Sequence, residues 1–282
     1  MTGDTMQELR RASYQISQAI APGWERWRAR LEDALAPVRE WMIRQLAPQP
    51  GDTLLELAAG AGDTGFDAAA IIGEAGRLIS TDFSPAMLEV ARRRGAELGL
   101  GNVDFRVVDA ERAELDTGSV DGVLCRFGYM LMADPAGALA ESRRVLRTGG
   151  RLVLAVWGAP QRNLFFSVIA AILAERGHLP PPGPGSLSPS SMASQQHTRD
   201  LLTAAGFRVI ALDEIAVRFR FGDLEEYLTF VADTAGPAAI ALRGLPREER
   251  QEVKARLEDA FAAFVTPQGY ELPGSALAAA AS

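Results

Sequence analysis

The stretch with the most chemical content is "LLELAAGAGDTGFD", residues 54–67, where an apolar run breaks into glycines spaced G-x-G-x-x-G. Gly60 and Gly62, with Ala61 between them, let the backbone approach a ligand closely, because a residue without a Cβ reaches conformations that others resist. Asp82 follows Gly62 by about 20 residues, the spacing at which such folds bring a carboxylate to ribose hydroxyls. NAD and other adenosine cofactors fit this pattern equally well. Charge separates them: residues 51–76 contain Asp52, Glu56, Asp63, Asp67 and Glu74 but no Lys or Arg. At an effective dielectric near 20, like charges roughly 4 Å apart cost about 4 kcal/mol. A helix N-terminus returns at most about 2 kcal/mol of that. A pyrophosphate meets this penalty and a ligand bearing an ammonium and a sulfonium does not, which favours S-adenosylmethionine.

A series of short apolar runs must position these groups. In the first 47 residues Trp24, Trp27, Leu31, Leu35, Val38, Met42 and Leu46 recur every three or four positions, the period of a helix with one buried face. Pro37 is expected to kink that helix or to start a second one. Then "DTLLELA", "GRLISTD", "VDFRVVD", "DGVLCRF" and "GRLVLAVW" read as strands separated by helical stretches. The alternation predicts βαβ units and an α/β fold, a doubly wound, Rossmann-like, mostly parallel sheet with helices on both faces. Ser84 before Pro85 and Asp134 before Pro135 are N-cap signals, and Gly149 with Gly150 is expected to close the helix that Asp134 opens.

After residue 158 the regularity lapses. A helix through Leu164, Phe165, Val168, Ile169 and Leu173 leads into "HLPPPGPGSLSPSS", whose prolines forbid regular hydrogen bonding and mark a loop. A helix over "HTRDLLTAAGF", ended by Gly206, precedes the long strand "RVIALDEIAVRFRF". Residues 223–266 read as helical, with Val253, Leu257, Phe261 and Phe264 on one stripe, and "YELPGSALAAAA" is expected to return as an edge strand. The predicted organisation is an N-terminal helical cover over 1–47 and one α/β domain over 48–282, with lid insertions at about 160–197 and 222–268.

Composition bounds the function. The 282 residues are 48% hydrophobic and 23% charged with no apolar run long enough to span a bilayer, which predicts a soluble chain. The opening "MTGDTMQELRRAS" lacks the apolar core of a signal peptide, so a cytoplasmic location is expected. One cysteine, Cys125, excludes an internal disulfide, and with only His178 and His197 as imidazoles no metal is expected. A net charge of −7 argues against nucleic acid, since phosphate binding needs clustered Lys and Arg. The expected partner is a small molecule; a homo-oligomer is compatible with this composition. Lys254, the sole lysine, is far from the glycine loop, which excludes a P-loop lysine there.

Five ordered stretches, "LLELAAGAGDTG", "ISTDFSPAMLEVAR", "VDFRVVDAERAEL", "SVDGVLCRFGYMLMADP" and "RVLRTGGRLVLAVW", together resemble the successive motifs of class I S-adenosylmethionine-dependent methyltransferases, nearest to the ubiquinone/menaquinone methyltransferase-like branch. The resemblance covers about residues 50–158, more weakly 198–222 and 270–281. It implies a sheet of about seven strands ending in a C-terminal antiparallel hairpin. It implies that Glu56 orders the loop or the methionine end of the cofactor, that Gly60, Ala61 and Gly62 admit it, and that Asp82 takes the ribose hydroxyls. Phe83 and Met87 would pack near the adenine, Asp109 would accept its exocyclic amine, and the Ala110 amide would donate to the ring. Arg126 would sit at the cofactor's far end and the substrate. For Asp82 and Asp109 the competing reading is a strand-end cap, for Glu56 a structural hydrogen-bonding role, for Phe83 and Met87 core packing, and for Arg126 an ion pair.

Methyl transfer from a sulfonium disperses positive charge, so positioning the acceptor does much of the work and a base helps only where the acceptor holds a proton. His197 is the best candidate base, leading out of the proline-rich segment, and Tyr14 is a second candidate; the plain alternative for His197 is a capping or surface role. Tyr14, Trp24, Trp27 and Trp157 supply aromatic surface outside the core, which suggests an apolar or phenolic acceptor methylated on oxygen or carbon, quinone-like or a natural product. No Asn/Asp-Pro-Pro-Tyr motif follows the fourth strand, which reads "CRFGY" and disfavours nucleobases. Three other readings stay open: a protein with the same cofactor pocket that catalyses a non-transfer step such as cyclisation, an NAD(P)-dependent oxidoreductase, and a non-catalytic regulator that only binds the cofactor.

Overall fold

The computed structural model describes residues 3–180 and 188–282, so residues 181–187, half of the proline-rich loop expected over 178–191, lie outside the described residues. Two helices come first, α1 (Gly3–Arg26) and α2 (Arg28–Leu46). Leu31, Leu35, Val38, Met42 and Leu46 of the expected stripe are buried, while Trp24 and Trp27 pack half-buried against the core. The break between the helices falls at Trp27 and not at Pro37, which lies exposed within α2. Pro22, inside α1, has no N–H to bond one turn back and so loosens the turn that precedes the break. Hydrogen bonds from the Trp27 N–H to the Gly23 carbonyl (2.9 Å) and from the Leu31 N–H to the Trp27 carbonyl (3.0 Å) carry the chain through it.

The alternating segment follows as β1 (Thr53–Glu56), α3 (Asp63–Ile72), β2 (Arg77–Asp82), α4 (Pro85–Glu97), β3 (Val103–Val107), β4 (Val120–Arg126), α5 (Pro135–Val145) and β5 (Leu146–Trp157). Ser84 caps α4 by accepting from the Met87 N–H, and Asp134 caps α5 by accepting from the Gly137 N–H, each ahead of a proline in the first turn. Gly149 and Gly150 lie within β5, not at the end of α5, which stops at Val145. The register between β4 and β5 slips between Val120 and Gly122, and Gly149, at φ +84°, takes up the extra residues there.

The chain continues as α6 (Leu164–Glu175), α7 (Gln195–Ala204), β6 (Val209–Phe221), α8 (Leu224–Thr234), α9 (Gly236–Gly244), α10 (Arg247–Phe261), β7 (Val265–Thr266) and β8 (Gly269–Ala281). Among the described residues the sheet has eight strands, the extra one over the expected seven being two-residue β7, in the order β3-β2-β1-β4-β5-β8-β6 with β7 on β8. The first five strands pair in parallel, and β8 runs antiparallel to β5, β6 and β7. The C-terminal strand is therefore not the edge. Its alanines 278–281 are buried between β5 and β6, and small side chains are what let helices pack on both faces there.

Chain order reverses between β1 and β4, so the crevice beyond their carboxyl ends is the place where an open parallel sheet takes a ligand. The exit of β5 is pinned by fully buried Asn163. Its amide donates to the carbonyls of Gly158, Ala159 and Ser275 at 3.0–3.2 Å, and its carbonyl accepts from the Ser275 N–H at 2.9 Å. Asn163→Ala would strand those backbone groups without partners. The expected loss is about 2–3 kcal/mol in urea-induced unfolding; an unchanged midpoint would show that the clip does not hold β8 to β5.

Candidate active site

Two acids close the crevice floor. Glu56 ends β1 and is buried; its Oε1 accepts from the Gly65 N–H (2.8 Å) and its Oε2 from the Ser80 hydroxyl (2.9 Å). One carboxyl thus ties β1 to the first turn of α3 and to β2. The fit is tight: a Cβ on Gly65 would lie 2.2 Å from the Glu56 carboxylate, so the third glycine of the motif serves this side chain. Burial pushes the Glu56 carboxyl up to about 8, against the pull of Ser80, Gly65 and Arg126, and leaves it largely protonated at neutral pH.

Asp82 ends β2 and is also buried. Its Oδ2 accepts from the Gly60 N–H (3.0 Å) and its Oδ1 from the Ser84 N–H (2.8 Å), while burial raises it to about 6. Gly60 at φ +58° and Gly62 at φ +85° turn the loop in the left-handed region that glycine tolerates. Two residues with side chains share that strained region at the crevice, Ala58 (φ +51°) and Phe127 (φ +61°). Between them Gly128 lets the loops after β1 and β4 touch, since a Cβ there would come 2.6 Å from the Ala58 Cβ.

Arg126 ends β4 on the other side of the crevice, its side chain 11% exposed. One amino group donates to Glu32 of α2 at 2.6 Å, and Glu32 also binds Arg39 of the same helix. Burial acts to raise Glu32, but Arg126 and Arg39 together hold it below the usual carboxylate range. The other amino group, Nη1, is buried with no protein partner, as are Asp63 Oδ2 and Thr64 Oγ1 at the start of α3. Asp63 Oδ1 lies 3.6 Å from both Arg28 of α2 and Arg94 of α4. The fold therefore brings Arg28, Arg94 and Arg126 to a loop whose own sequence holds no base, and the local charge count overstates its negative character.

Helix α1 lies across these strand ends. Gln18 Oε1 accepts from the Ser84 hydroxyl (2.7 Å) and the Ala86 N–H (2.9 Å). Tyr14 packs edge-on against Phe83 with ring centroids 5.9 Å apart, and its hydroxyl accepts from the Gln18 amide. Arg10 binds Glu111 just past Asp109, and the Trp24 ring sits over Gly60. Ala61 and Met87 are buried under α1 in a cluster with Ile20, Ala21, Val90 and Ala239. Asp109 is exposed and accepts from the Glu111 N–H (3.0 Å), with Ala110 half-buried beside it. On the other flank Phe127 stacks on Trp157 at 4.1 Å.

The structure thus gathers Glu56, Gly60, Ala61, Gly62, Asp82, Phe83, Met87 and Arg126 around one crevice, with Tyr14 at its rim. His197 does not join them among the described contacts: it is exposed in the first turn of α7, where its N–H donates to the capping Ser194 hydroxyl. Position 197 lies on the solvent face of α7, whose Thr198 and Leu202 are the side chains that face the core. The second imidazole, His178, pairs with Glu249. Sequence reading missed Gln18, Glu32 and Gly128. Gln18 and Glu32 meet partners 66 to 94 positions away, and a local pattern cannot report such contacts.

Residues 36–169 match the model of the ubiE/COQ5 methyltransferase family. Over 153 residues the chain is 32% identical to a demethylmenaquinone methyltransferase of Deinococcus radiodurans, covering 54% of this chain and 57% of that one. Over 140 residues it is 34% identical to the demethylmenaquinone methyltransferase of Thermus thermophilus, covering 50% and 58%. The chain therefore spans somewhat over half the length of these two curated relatives. A solved Bacillus halodurans C-125 structure superposes with a TM-score of 0.61 at 20% identity, over 86% of this chain and 97% of that one, a likeness of fold. Residues 36–169 contain the motifs that carry the resemblance, and the family whose model they match is the branch that the resemblance names.

The raised acids set a direction for pH. Stability that the neutral Glu56 carboxyl contributes is complete below about pH 4.5 and is lost as pH rises through about 8; that of Asp82 goes earlier, through about 6. Thermal melts should show the midpoint falling from pH 5 to pH 9, and Glu56→Gln, which keeps the hydrogen bonds without an ionisable group, should flatten the fall between pH 7 and 9. Parallel curves for the two proteins would place the titrating group elsewhere.

Proposed function

We propose that this chain is an S-adenosylmethionine-dependent methyltransferase acting on oxygen or carbon of a small, largely apolar or phenolic metabolite, quinone-like acceptors included. The observation that carries the reading is a pair of buried acids at adjacent strand ends, Asp82 held by the Gly60 N–H of the loop and Glu56 by the Gly65 N–H of the first turn of α3, at the point where strand order reverses and inside a segment matching a methyltransferase family. The residues present fit such a cofactor, because the glycine turn leaves its backbone accessible and the buried Arg126 Nη1 and Asp63 Oδ2 have no protein partner. When bound, the cofactor supplies the methyl group on a positively charged sulfur.

In this reading Asp82, oriented by the Gly60 and Ser84 N–H groups, takes the ribose hydroxyls. The Gly60–Gly62 turn passes along the sugar and sulfur, and Glu56 holds that turn in shape from below. Phe83 and Met87 flank the adenine, with Asp109 and the Ala110 amide at its edge, and Tyr14 closes over that end from α1. The acceptor side is bounded by Arg126, the Phe127–Trp157 stack and Trp24, an aromatic wall suited to a flat apolar molecule. The N-terminal cover over 1–47 and the segments at about 160–197 and 222–268 are the parts that enclose it. No side chain is assigned as the base: Tyr14 serves the cover and His197 stays outside the site. Among the described residues no helix is long and apolar enough to cross a membrane, and a small-molecule partner in the cytoplasm suits the reading.

Incubation with cofactor labelled on its methyl group and a panel of phenols and quinols should move label into one class of product; conversion of an acceptor without label would mean a non-transfer reaction on the same fold. Asp82→Ala should weaken cofactor binding by about 1–3 kcal/mol, the range for a lost charged hydrogen bond. Unchanged affinity in the folded variant would remove Asp82 from the site.

A further inference from the structure

Two strands end the sheet, β3 and β6. The first is five residues long, whereas β6 runs thirteen and pairs with β8 in unbroken register from Ala211 to Phe221. A long regular edge offers its unused N–H and C=O groups to another strand, and folds guard such an edge with a bulge, a proline or lysines. Residues 211–221 have none of the three. Along them Glu214, Ala216, Arg218 and Arg220 are exposed, while Val217, Phe219 and Phe221 between them are buried.

Pairing with β8 decides which backbone groups of β6 face outward. Arg218 stands opposite Pro273, which has no N–H, so the two exchange no bonds and Arg218 turns its own amide and carbonyl away from β8. Two further contacts agree. Ser275, opposite Ala216, spends its N–H and carbonyl on Asn163 and Gly158 at 2.8–3.0 Å, and the Arg220 carbonyl accepts from Arg30 of α2. The pattern alternates along an antiparallel strand, so Leu212, Glu214, Ala216 and Arg218 all present N–H and C=O to the open side. Among the described residues nothing bonds to these groups, and Arg30 closes the edge only at Arg220.

We propose that β6 pairs antiparallel with β6 of a second copy of this chain, about a two-fold axis at Ala216. Residues that exchange bonds across such a pair must both face outward, which confines the register to these alternate positions opposed to one another. With the axis at Ala216, Glu214 stands opposite Arg218 of the second copy, and Arg218 opposite its Glu214. Opposite charges therefore meet twice, and opposed charges of unlike sign stabilise a sheet where like signs weaken it. An axis at Glu214 or at Arg218 would set that residue against itself, and an axis at Val217 would oppose Glu214 to Arg220, whose carbonyl Arg30 already holds. Glu214 meets Arg162 and Gln195 within its own chain, but these are exposed contacts that exchange readily. The pairing is separate from the crevice, with β5 and β8 between β6 and β4, and does not depend on the proposed cofactor.

Sedimentation equilibrium of the full chain across the micromolar range tests it. The wild-type protein should associate to a dimer and no further, because a two-fold pairing leaves no second β6 edge free. Glu214→Arg alone and Arg218→Glu alone each set like charges opposite one another twice, and each should weaken the dimer about tenfold or more. Mixing the two variants should restore it, since every opposed pair in the mixed dimer is again of unlike sign. Ala216→Cys should cross-link to itself under mild oxidation, the native Cys125 being buried; Arg220→Cys, roughly 27 Å from its counterpart at about 3.4 Å per residue, should not. This pair changes no charge at Glu214 or Arg218, so it decides the register even where a reversal disturbs the fold. A monomer at every concentration would overturn the pairing, as would a dimer that both reversals leave unchanged, a mixture no tighter than its components, or equal cross-linking at the two cysteine positions.

Discussion

The buried carboxyl of Glu56 is the constraint on which the rest of the site depends. It is the only described side chain that bonds at once to the α3 turn and to β2 from the end of β1, and it does so with both oxygens committed. Because it sits beneath the turn, Gly65 can carry no side chain and α3 must start where it does. That start places Gly60 and Gly62 at the strand-order reversal and delivers the Gly60 N–H to Asp82. Burial keeps Glu56 neutral near pH 7, so its work is steric and hydrogen-bonding.

Helix α1 and helix α2 divide the cover between them. The first reaches the ends of β2 and β3 through Tyr14, Gln18 and Arg10, the adenosine side of the proposed cofactor. The second reaches the end of β4 through Glu32 and the start of α3 through Arg28. The hinge between them carries Trp24 and Trp27, whose indole N–H groups donate to the Thr234 carbonyl and the Asp233 carboxylate of α8. The cover is therefore bonded to the late helices as well as to the sheet. Two parts of the chain that no short motif links meet over one crevice.

The parallel half of the sheet was readable because each strand and its following turn lie within one short stretch. Apolar runs, Ser84 and Asp134 as caps, and the Gly60–Gly62 turn all report on neighbours in sequence. What was not readable depended on distant partners. The place of β8 between β5 and β6 follows from a run of alanines that packs on both faces, a pattern that a solvent-facing edge would show equally well. Pro37 looked like a helix break because proline loses one hydrogen bond, yet an exposed turn of α2 absorbs that loss. Counting charge over residues 51–76 pointed to a cationic ligand but missed Arg28, Arg94 and Arg126, which arrive from three other elements. His197 has the side-chain chemistry of a base, but it lies on the solvent face of α7, and which face a helix buries depends on what packs against it.

With those arginines in place, net charge alone no longer separates an adenosyl cofactor from a dinucleotide. The separation rests on the arrangement: buried acids at the ends of β1 and β2, one buried Arg126 nitrogen without a protein partner at the end of β4, and an unpartnered Asp63 oxygen. Calorimetric titration of the same preparation with S-adenosylmethionine and with NADH tests that arrangement most directly. Saturable one-to-one binding of S-adenosylmethionine with no heat from NADH is the predicted result. Tight binding of NADH without binding of S-adenosylmethionine would contradict it.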